Sequence, residues 1–237
     1  MLKKEKIIGI IPARLNSKRL ANKLLLKINK TTILEHVINR LLLSKVFSKI
    51  IIVSPDDKVR RIANKFNKVD FFKSLQKHSS GTSRSFEAVK DIKFSKLVVI
   101  FGDEPLIRPN EIAYFTKKIS NDKKNNIWNA TINLKDVHEL HNKSIVKCFI
   151  NRNNYITDLK RSCDLNFDSS LKKGVLKSVG LIAFKYNVIK NINLRRNKEN
   201  IEQLNFINNK FLLKSINLKD NFFSINISSD LIKVKTE

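Results

Sequence analysis

Three short stretches of this chain gather the residue types that handle phosphate and hard metal ions. The first is Pro12-Ala13-Arg14-Leu15-Asn16-Ser17-Lys18-Arg19-Leu20-Ala21-Asn22-Lys23. Guanidinium groups grip phosphate oxygens through paired hydrogen bonds, and the backbone amides of a tight loop add further donors. Arg14, Arg19 and Lys23 could each reach a triphosphate, so the loop reads as phosphate-binding; by residue type alone it reads equally as a solvated basic loop. It lacks the glycines of a Walker A motif. The second stretch is His78-Ser79-Ser80-Gly81-Thr82-Ser83-Arg84, followed by Glu87. Ser80 or Thr82 suits a helix N-cap, with Arg84 in the first turn, and the same hydroxyls and amides suit a nucleobase. The third is Gly102-Asp103-Glu104-Pro105-Leu106-Ile107. An acidic pair at a strand end suits Mg²⁺, a hard cation that takes oxygen ligands and can bridge triphosphate oxygens. Asp103 reads as the metal ligand, Glu104 as an acidic turn or helix cap.

Each stretch needs an element to hold it. Lys6–Ile11 is a short apolar run rich in β-branched residues and ended by Pro12, the pattern of a buried parallel strand. Thr32–Leu43 has apolar residues at helical period behind a Thr31 or Thr32 cap. Lys49–Val53 and Lys96–Phe101 are further buried strands, Asp57–Phe66 a helix, and Pro109–Ile119 a helix with proline at its start. Strands alternating with helices predict an α/β fold: a mostly parallel central sheet with helices on both faces. In such sheets ligands bind at the carboxyl ends of the strands, where the three stretches lie. The second half is less regular. Ile145–Ile150, Gly180–Phe184 and Phe222–Ile227 read as strands, Glu199–Asn208 and Ser228–Val234 as helices. A single domain over residues 1–237 is predicted, with the region from about residue 130 to about 180 as a small mixed subdomain.

Composition narrows the classes. The 237 residues include 42% hydrophobic side chains, enough for a packed core. No apolar run approaches the roughly 18 residues that span a bilayer, and the basic start meets Pro12 and Arg14 too soon for a signal peptide. The expectation is a cytoplasmic protein without membrane insertion. Cys148 and Cys163 have no neighbours at metal-ligand spacing and read as reduced thiols. The formal charge of +26 comes from lysines scattered along the chain, not from one block. Such a field steers anionic substrates without specifying a nucleic-acid site.

In order and spacing, the three stretches resemble the 3-deoxy-manno-octulosonate cytidylyltransferase (CMP-Kdo synthetase) family. The resemblance rests on Ile11-Pro12-Ala13-Arg14 through Ser17, Arg19-Leu20 and Lys23; on His78-x-Ser80-Gly81-Thr82-x-Arg84 with Glu87; and on Gly102 to Ile107. Fainter echoes follow at Val179-Gly180-x-x-Ala183-Phe184, Glu202-Gln203-Leu204 and Asp230-Leu231. The resemblance implies transfer of CMP from CTP to a 2-keto-3-deoxy sugar acid with Mg²⁺ as cofactor, in a cytoplasmic homodimer that supplies lipopolysaccharide synthesis. It implies catalytic roles for Arg14, Lys23 and Asp103. Pro12, Ala13, Arg14, Arg19, Lys23, Ser80, Gly81, Thr82, Arg84 and Gly102 would lie on the nucleotide. Glu202, Gln203 and Ser178 would lie on the sugar acid, and Asp103 with Asn226 on the metal. The region from about residue 130 to about 180 would serve the sugar side or a dimer interface.

The chain departs from the family pattern in four places. Ala21-Asn22 replaces Pro-Gly before Lys23, and asparagine tolerates the left-handed backbone such a turn needs. Phe101 replaces a glutamine, Ser178 a sugar-side histidine, and Asn226 a second metal aspartate, which removes one negative charge from the metal site. The phosphate end is thus retained and the sugar end altered. The alternatives are a cytidylyltransferase for another acid (of nonulosonate, sialate or amino-Kdo type) and a low-activity or non-catalytic nucleotide-binding relative.

Overall fold

The computed structural model describes residues 5–16, 20–163, 174–192, 194, 200–219, 222, 224–225 and 227–236. β1 (Ile7–Pro12) runs through a loop and a 3₁₀ turn at Lys23–Leu25 into a hairpin of β2 (Lys27–Ile28) and β3 (Thr31–Thr32). Next come α1 (Ile33–Ser44), β4 (Lys49–Ser54), α2 (Asp57–Ala63), β5 (Asp70–Lys73), α3 (Gly81–Ala88), β6 (Lys96–Ile100) and α4 (Pro109–Asn121). The second half holds β7 (Ile127–Asn133), α5 (Val137–His141), β8 (Lys147–Ile150), β9 (Tyr155–Lys160), β10 (Val175–Lys185), α6 (Tyr186–Ile189), α7 (Leu204–Asn208), β11 (Leu213–Asn217) and α8 (Ser228–Thr236).

The main sheet has the order β5-β4-β1-β6-β10-β7-β11-β9-β8. β5, β4, β1 and β6 are mutually parallel. Alternate residues of β1 feed opposite cores: Ile7 and Ile11 meet α1, α2 and α4, while Ile8 and Ile10 meet α3 and α7. Burial on both faces explains why these strands read as unbroken apolar runs. Thr32 caps α1 in a reciprocal capping box with Glu35, as its sequence signature predicts.

β10 breaks the parallel order. Its second half pairs antiparallel with β6, through Leu181–Lys185. Its first half pairs on that side with β8 instead, through Val175–Lys177, so β8 closes a ring with β9, β11, β7 and β10. Between the two halves the β7–β10 register shifts over Ser178–Ile182. The sheet is therefore mixed and partly barrel-like, with the strand change at Val179-Gly180. β10 begins well before the expected Gly180 because its first half gains β8 as a partner. β5, β7, β9 and β11 lie outside the predicted elements. β7 is buried along most of its length yet carries Asn129 and Thr131, whose polarity hides it from an apolar-run reading. Phe222, Ser224, Ile225 and Ile227 form no strand. Instead the Ile225 N–H donates to the Asp103 carbonyl, laying this segment across the strand ends.

Candidate active site

The loop after β1 is tied down by β4. The Ala13 N–H donates to the Val53 carbonyl and the Leu15 N–H to Asp56 Oδ2, each at 2.9 Å. The loop closes through the Asn22 N–H to the Leu15 carbonyl, with Asn22 at φ 51°, so asparagine supplies the left-handed turn. That turn places Lys23 in the buried 3₁₀ segment with Nζ 2.6 Å from Asp103 Oδ2. Pro12 and Ala13 are buried at the strand end, and Arg14 is exposed. Arg19 lies outside the described residues.

The second stretch forms the start of α3. Ser80 is the N-cap and its hydroxyl accepts from the Ser83 N–H. The next two amides go elsewhere: Gly81 N–H donates to Glu202 Oε1 at 2.9 Å and Thr82 N–H to Glu202 Oε2 at 3.1 Å. A carboxylate at a helix N-terminus satisfies orphan donors and complements the dipole. Glu202 therefore sits on the α3 amides and joins the two ends of the cleft. Arg84 is buried, and both burial and the like charge of Arg14 push its pKa down. Its Nε and the Thr82 hydroxyl are buried without a hydrogen-bond partner, unusual for interior polar atoms. At the far end of α3, burial pushes the Glu87 carboxyl up, but hydrogen bonds from Ser74 and His78 outweigh it and hold its pKa low. Pro12, Arg14, Ser80, Gly81, Arg84 and Glu202 are among the residues around a cavity of about 230 Å³.

β6 ends on a wedge. The Phe101 ring lies so close to Gly81 and Gly180 that a Cβ at either would stand 2.7 Å and 3.0 Å from it. The ring divides the small cavity from a larger one of about 570 Å³. Gly102 is buried against Leu24, which leaves Asp103 partly exposed at the mouth of the larger cavity. Glu104 turns inward. Its Oε1 accepts from the Gly180 N–H at 2.8 Å and from Ser224 Oγ at 2.6 Å, while the buried Oε2 has no partner. Burial, reinforced by the charge of Asp103, raises its pKa to about 7. Glu104 is thus a strut joining β6, β10 and the C-terminal segment; it is neither a solvated turn nor a helix cap.

The larger cavity draws on the closed ring. Gln203 Nε2 donates to Asn129 Oδ1 and to Ser178 Oγ, and Asn129 Nδ2 donates to the same hydroxyl. Gln203 and Ser178, paired by the sequence reading, are therefore brought together, with Asn129 between them. Lys177 pairs with Glu139 at 2.7 Å, both largely buried beside the cavity. Asn129, Glu139 and Lys177 escape sequence reasoning because their partners, Gln203 for Asn129 and each other for Glu139 and Lys177, lie far away in the sequence. Asn226 lies outside the described residues.

No three His, Cys, Asp or Glu side chains converge on one point among the described residues, so no protein-only metal cage exists there. Asp103 offers a hard oxygen at the cleft mouth. That donor set fits Mg²⁺, which commonly binds one or two carboxylates and takes its remaining ligands from substrate phosphates and water. No described helix is long and apolar enough to cross a membrane.

Residues 8–220 match the family described as Cytidylyltransferase. The chain is 30% identical over 243 residues to a 3-deoxy-manno-octulosonate cytidylyltransferase of Wigglesworthia glossinidia brevipalpis, covering 97% of this chain and 98% of that one. Among solved structures it is similar to a CMP:2-keto-3-deoxy-manno-octonic acid synthetase complexed with CTP, with TM-score 0.86 and 24% identity over 98% and 97% of the two chains. It also matches the inositol-1-phosphate CTP transferase from T. maritima, with TM-score 0.70 and 13% identity over 98% and 97%. At those identities the two structures speak for the fold alone.

Proposed function

Because the chain belongs to the 3-deoxy-manno-octulosonate cytidylyltransferase family of cytidylyltransferases, we propose that it transfers CMP from CTP to Kdo, releasing pyrophosphate, for lipopolysaccharide or related surface-glycan synthesis. One observation carries the reading. Arg14 lines the smaller cavity, Asp103 opens onto the larger, and Lys23 Nζ stands 2.6 Å from Asp103. A triphosphate gripped by the β1 loop would then lie beside an acid held in the larger cavity. The smaller cavity takes the nucleotide, with Ser80, Gly81, Thr82 and Arg84 beside it. The anomeric hydroxyl oxygen of the acid forms a bond to the α-phosphorus of CTP as the bond to the pyrophosphate oxygen breaks, and the hydroxyl proton is released to water. Arg14 and Lys23 hold the phosphates in line and offset the charge that builds on them. Asp103 would hold Mg²⁺, which when bound neutralises charge on the α-phosphate and the leaving pyrophosphate. Ser178, Gln203 and Asn129 orient the acid from the ring side.

Purified protein with CTP, Mg²⁺ and Kdo is expected to release pyrophosphate. Silence across a panel of 2-keto sugar acids, alongside an active control enzyme, sinks the reading. A second reading keeps the reaction and changes the acid to a nonulosonate, sialate or amino-Kdo type. Phe101, which lines both cavities, and Ser178, which lines the larger, favour it, since they alter shape and polarity where the acid would sit. Ranking kcat/KM across the panel decides, and equal or better use of plain Kdo removes the second reading.

A further inference from the structure

A buried positive charge organises the outer wall of the larger cavity. Lys147, on β8, has no exposed surface. Its Nζ donates to the backbone carbonyls of Asn142 at 3.0 Å and Ile145 at 2.9 Å, and to that of Arg161. An ammonium has three N–H donors, and three carbonyls use all of them. No carboxylate among the described residues lies within ion-pair distance of it, and desolvation pushes its pKa down. In the β-ladders Lys147 stands opposite Lys177 on one side and Lys160 on the other. Like charges directly opposed are unfavourable unless each is satisfied separately. Lys177 has Glu139 and Lys160 has Asp158, whereas Lys147 has only carbonyls among the described residues.

Asn142, Ile145 and Arg161 all line the larger cavity. The same segments hold one another: the Ser178 N–H donates to the Val146 carbonyl, and the Arg161 guanidinium spans from the Lys143 carbonyl to the Asn200 carbonyl. Without the ammonium, three part-buried carbonyls would each lose a charged donor; the Asn142 carbonyl would keep the Ile145 N–H, which donates to it at 3.0 Å.

We infer that Lys147 is a positioning residue whose ammonium stands where a bound monovalent cation could, holding Asn142, Ile145 and Arg161 in the shape the sugar acid meets. The inference rests on the reading of the larger cavity as the acid site. Lys147→Ala removes the ammonium and leaves space for n-propylammonium, which restores the missing carbons and charge. In this variant the KM for the acid is expected to rise about tenfold or more while that for CTP moves less than about twofold. Added n-propylammonium restores the acid KM, and n-propanol, of similar length but uncharged, does not. Lys147→Met keeps the stem without the charge. In it, amide hydrogen exchange is expected to quicken around residues 142–146 and 161 and to stay unchanged in α3 and the β1 loop. Equal rises in both KM values, rescue by n-propanol, exchange that quickens evenly through the sheet, or failure of both variants to fold would each overturn the inference. If the wild-type protein turns over no acid, the functional reading falls, and the exchange experiment still decides the role of Lys147.

Discussion

At the phosphate end of the cleft, the groups come from three contiguous stretches, 12–23, 78–87 and 101–104, two of them directly after parallel strands and the third at the start of α3. At the acid end they come from separate elements, from β7 (Asn129), α5 (Glu139), β8 (Lys147), β9 and its continuation (Arg161), β10 (Lys177, Ser178) and the turn before α7 (Gln203). Their charge states differ as well. The phosphate end pairs Lys23 with Asp103 but leaves Arg14 exposed and Arg84 Nε without a partner among the described residues. At the acid end Lys177 is committed to Glu139 and Lys147 to backbone carbonyls. A phosphate grip can be written as a short loop because a parallel strand end delivers it whole. A shaped pocket for a sugar needs walls from several strands, and those strands are distant in sequence.

The contrast can be broken first at its chemical centre. Asp103→Ala is expected to lower kcat by about 10³-fold or more and, by leaving the buried Lys23 ammonium without its carboxylate, to lower the thermal midpoint as well. Steady-state kinetics and calorimetry test this together, and full turnover in the variant removes Asp103 from the reaction.

Next comes the strut between the two ends. The pKa of Glu104 is raised from 4.5 to about 7 in the folded protein. Near neutrality the folded protein holds a proton that the unfolded chain has released. The stability tied to this proton is complete below about pH 4.5 and is lost as pH rises through about 7, with a total on the order of 3 kcal/mol. Glu104→Gln keeps an acceptor for Gly180 and Ser224 and cannot ionise. Chemical denaturation from about pH 5 to about pH 8 is expected to show stability falling in the wild type relative to the variant. Parallel profiles would mean that Glu104 carries no raised pKa in the folded protein.

The smallest effect sharpens the boundary. Glu202, expected from the resemblance on the acid side, gives its carboxylate to the α3 amides. Glu202→Ala is expected to cost about 1–2 kcal/mol in stability, as loss of a helix cap does, and to raise KM for CTP more than KM for the acid. A selective rise in the acid KM would move Glu202 back to the acid side.

Legibility in the sequence follows the same division. β1, β4, β6, α1 and α4 appear where apolar period, caps and Pro109 predict them, because burial on both faces and local capping leave marks in contiguous residues. β7 and β11 do not: Asn129, Thr131 and Ser215 interrupt their apolar pattern, and their polarity makes sense only once Thr131 meets Ser215 and Asn129 meets Ser178. The expected strand at Phe222–Ile227 reads apolar because Phe222 and Ile225 are buried, yet its backbone bonds to the Asp103 carbonyl instead of a neighbouring strand. Period reports burial and is silent about the partner.

By itself, the sequence determined the parallel half-sheet, the Asn22 turn that can carry Lys23, and the acidic pair at the end of β6, since each depends on neighbours within a few residues. Only the tertiary structure decided that Glu104 faces inward, that Phe101 divides two cavities, and that Glu202, which lines both cavities, bonds to the α3 amides. It also decided that Lys147 gathers three carbonyls from separate segments. Those outcomes depend on which strand pairs with each half of β10, a choice made by the closing of the ring and by the satisfaction of buried polar groups across it.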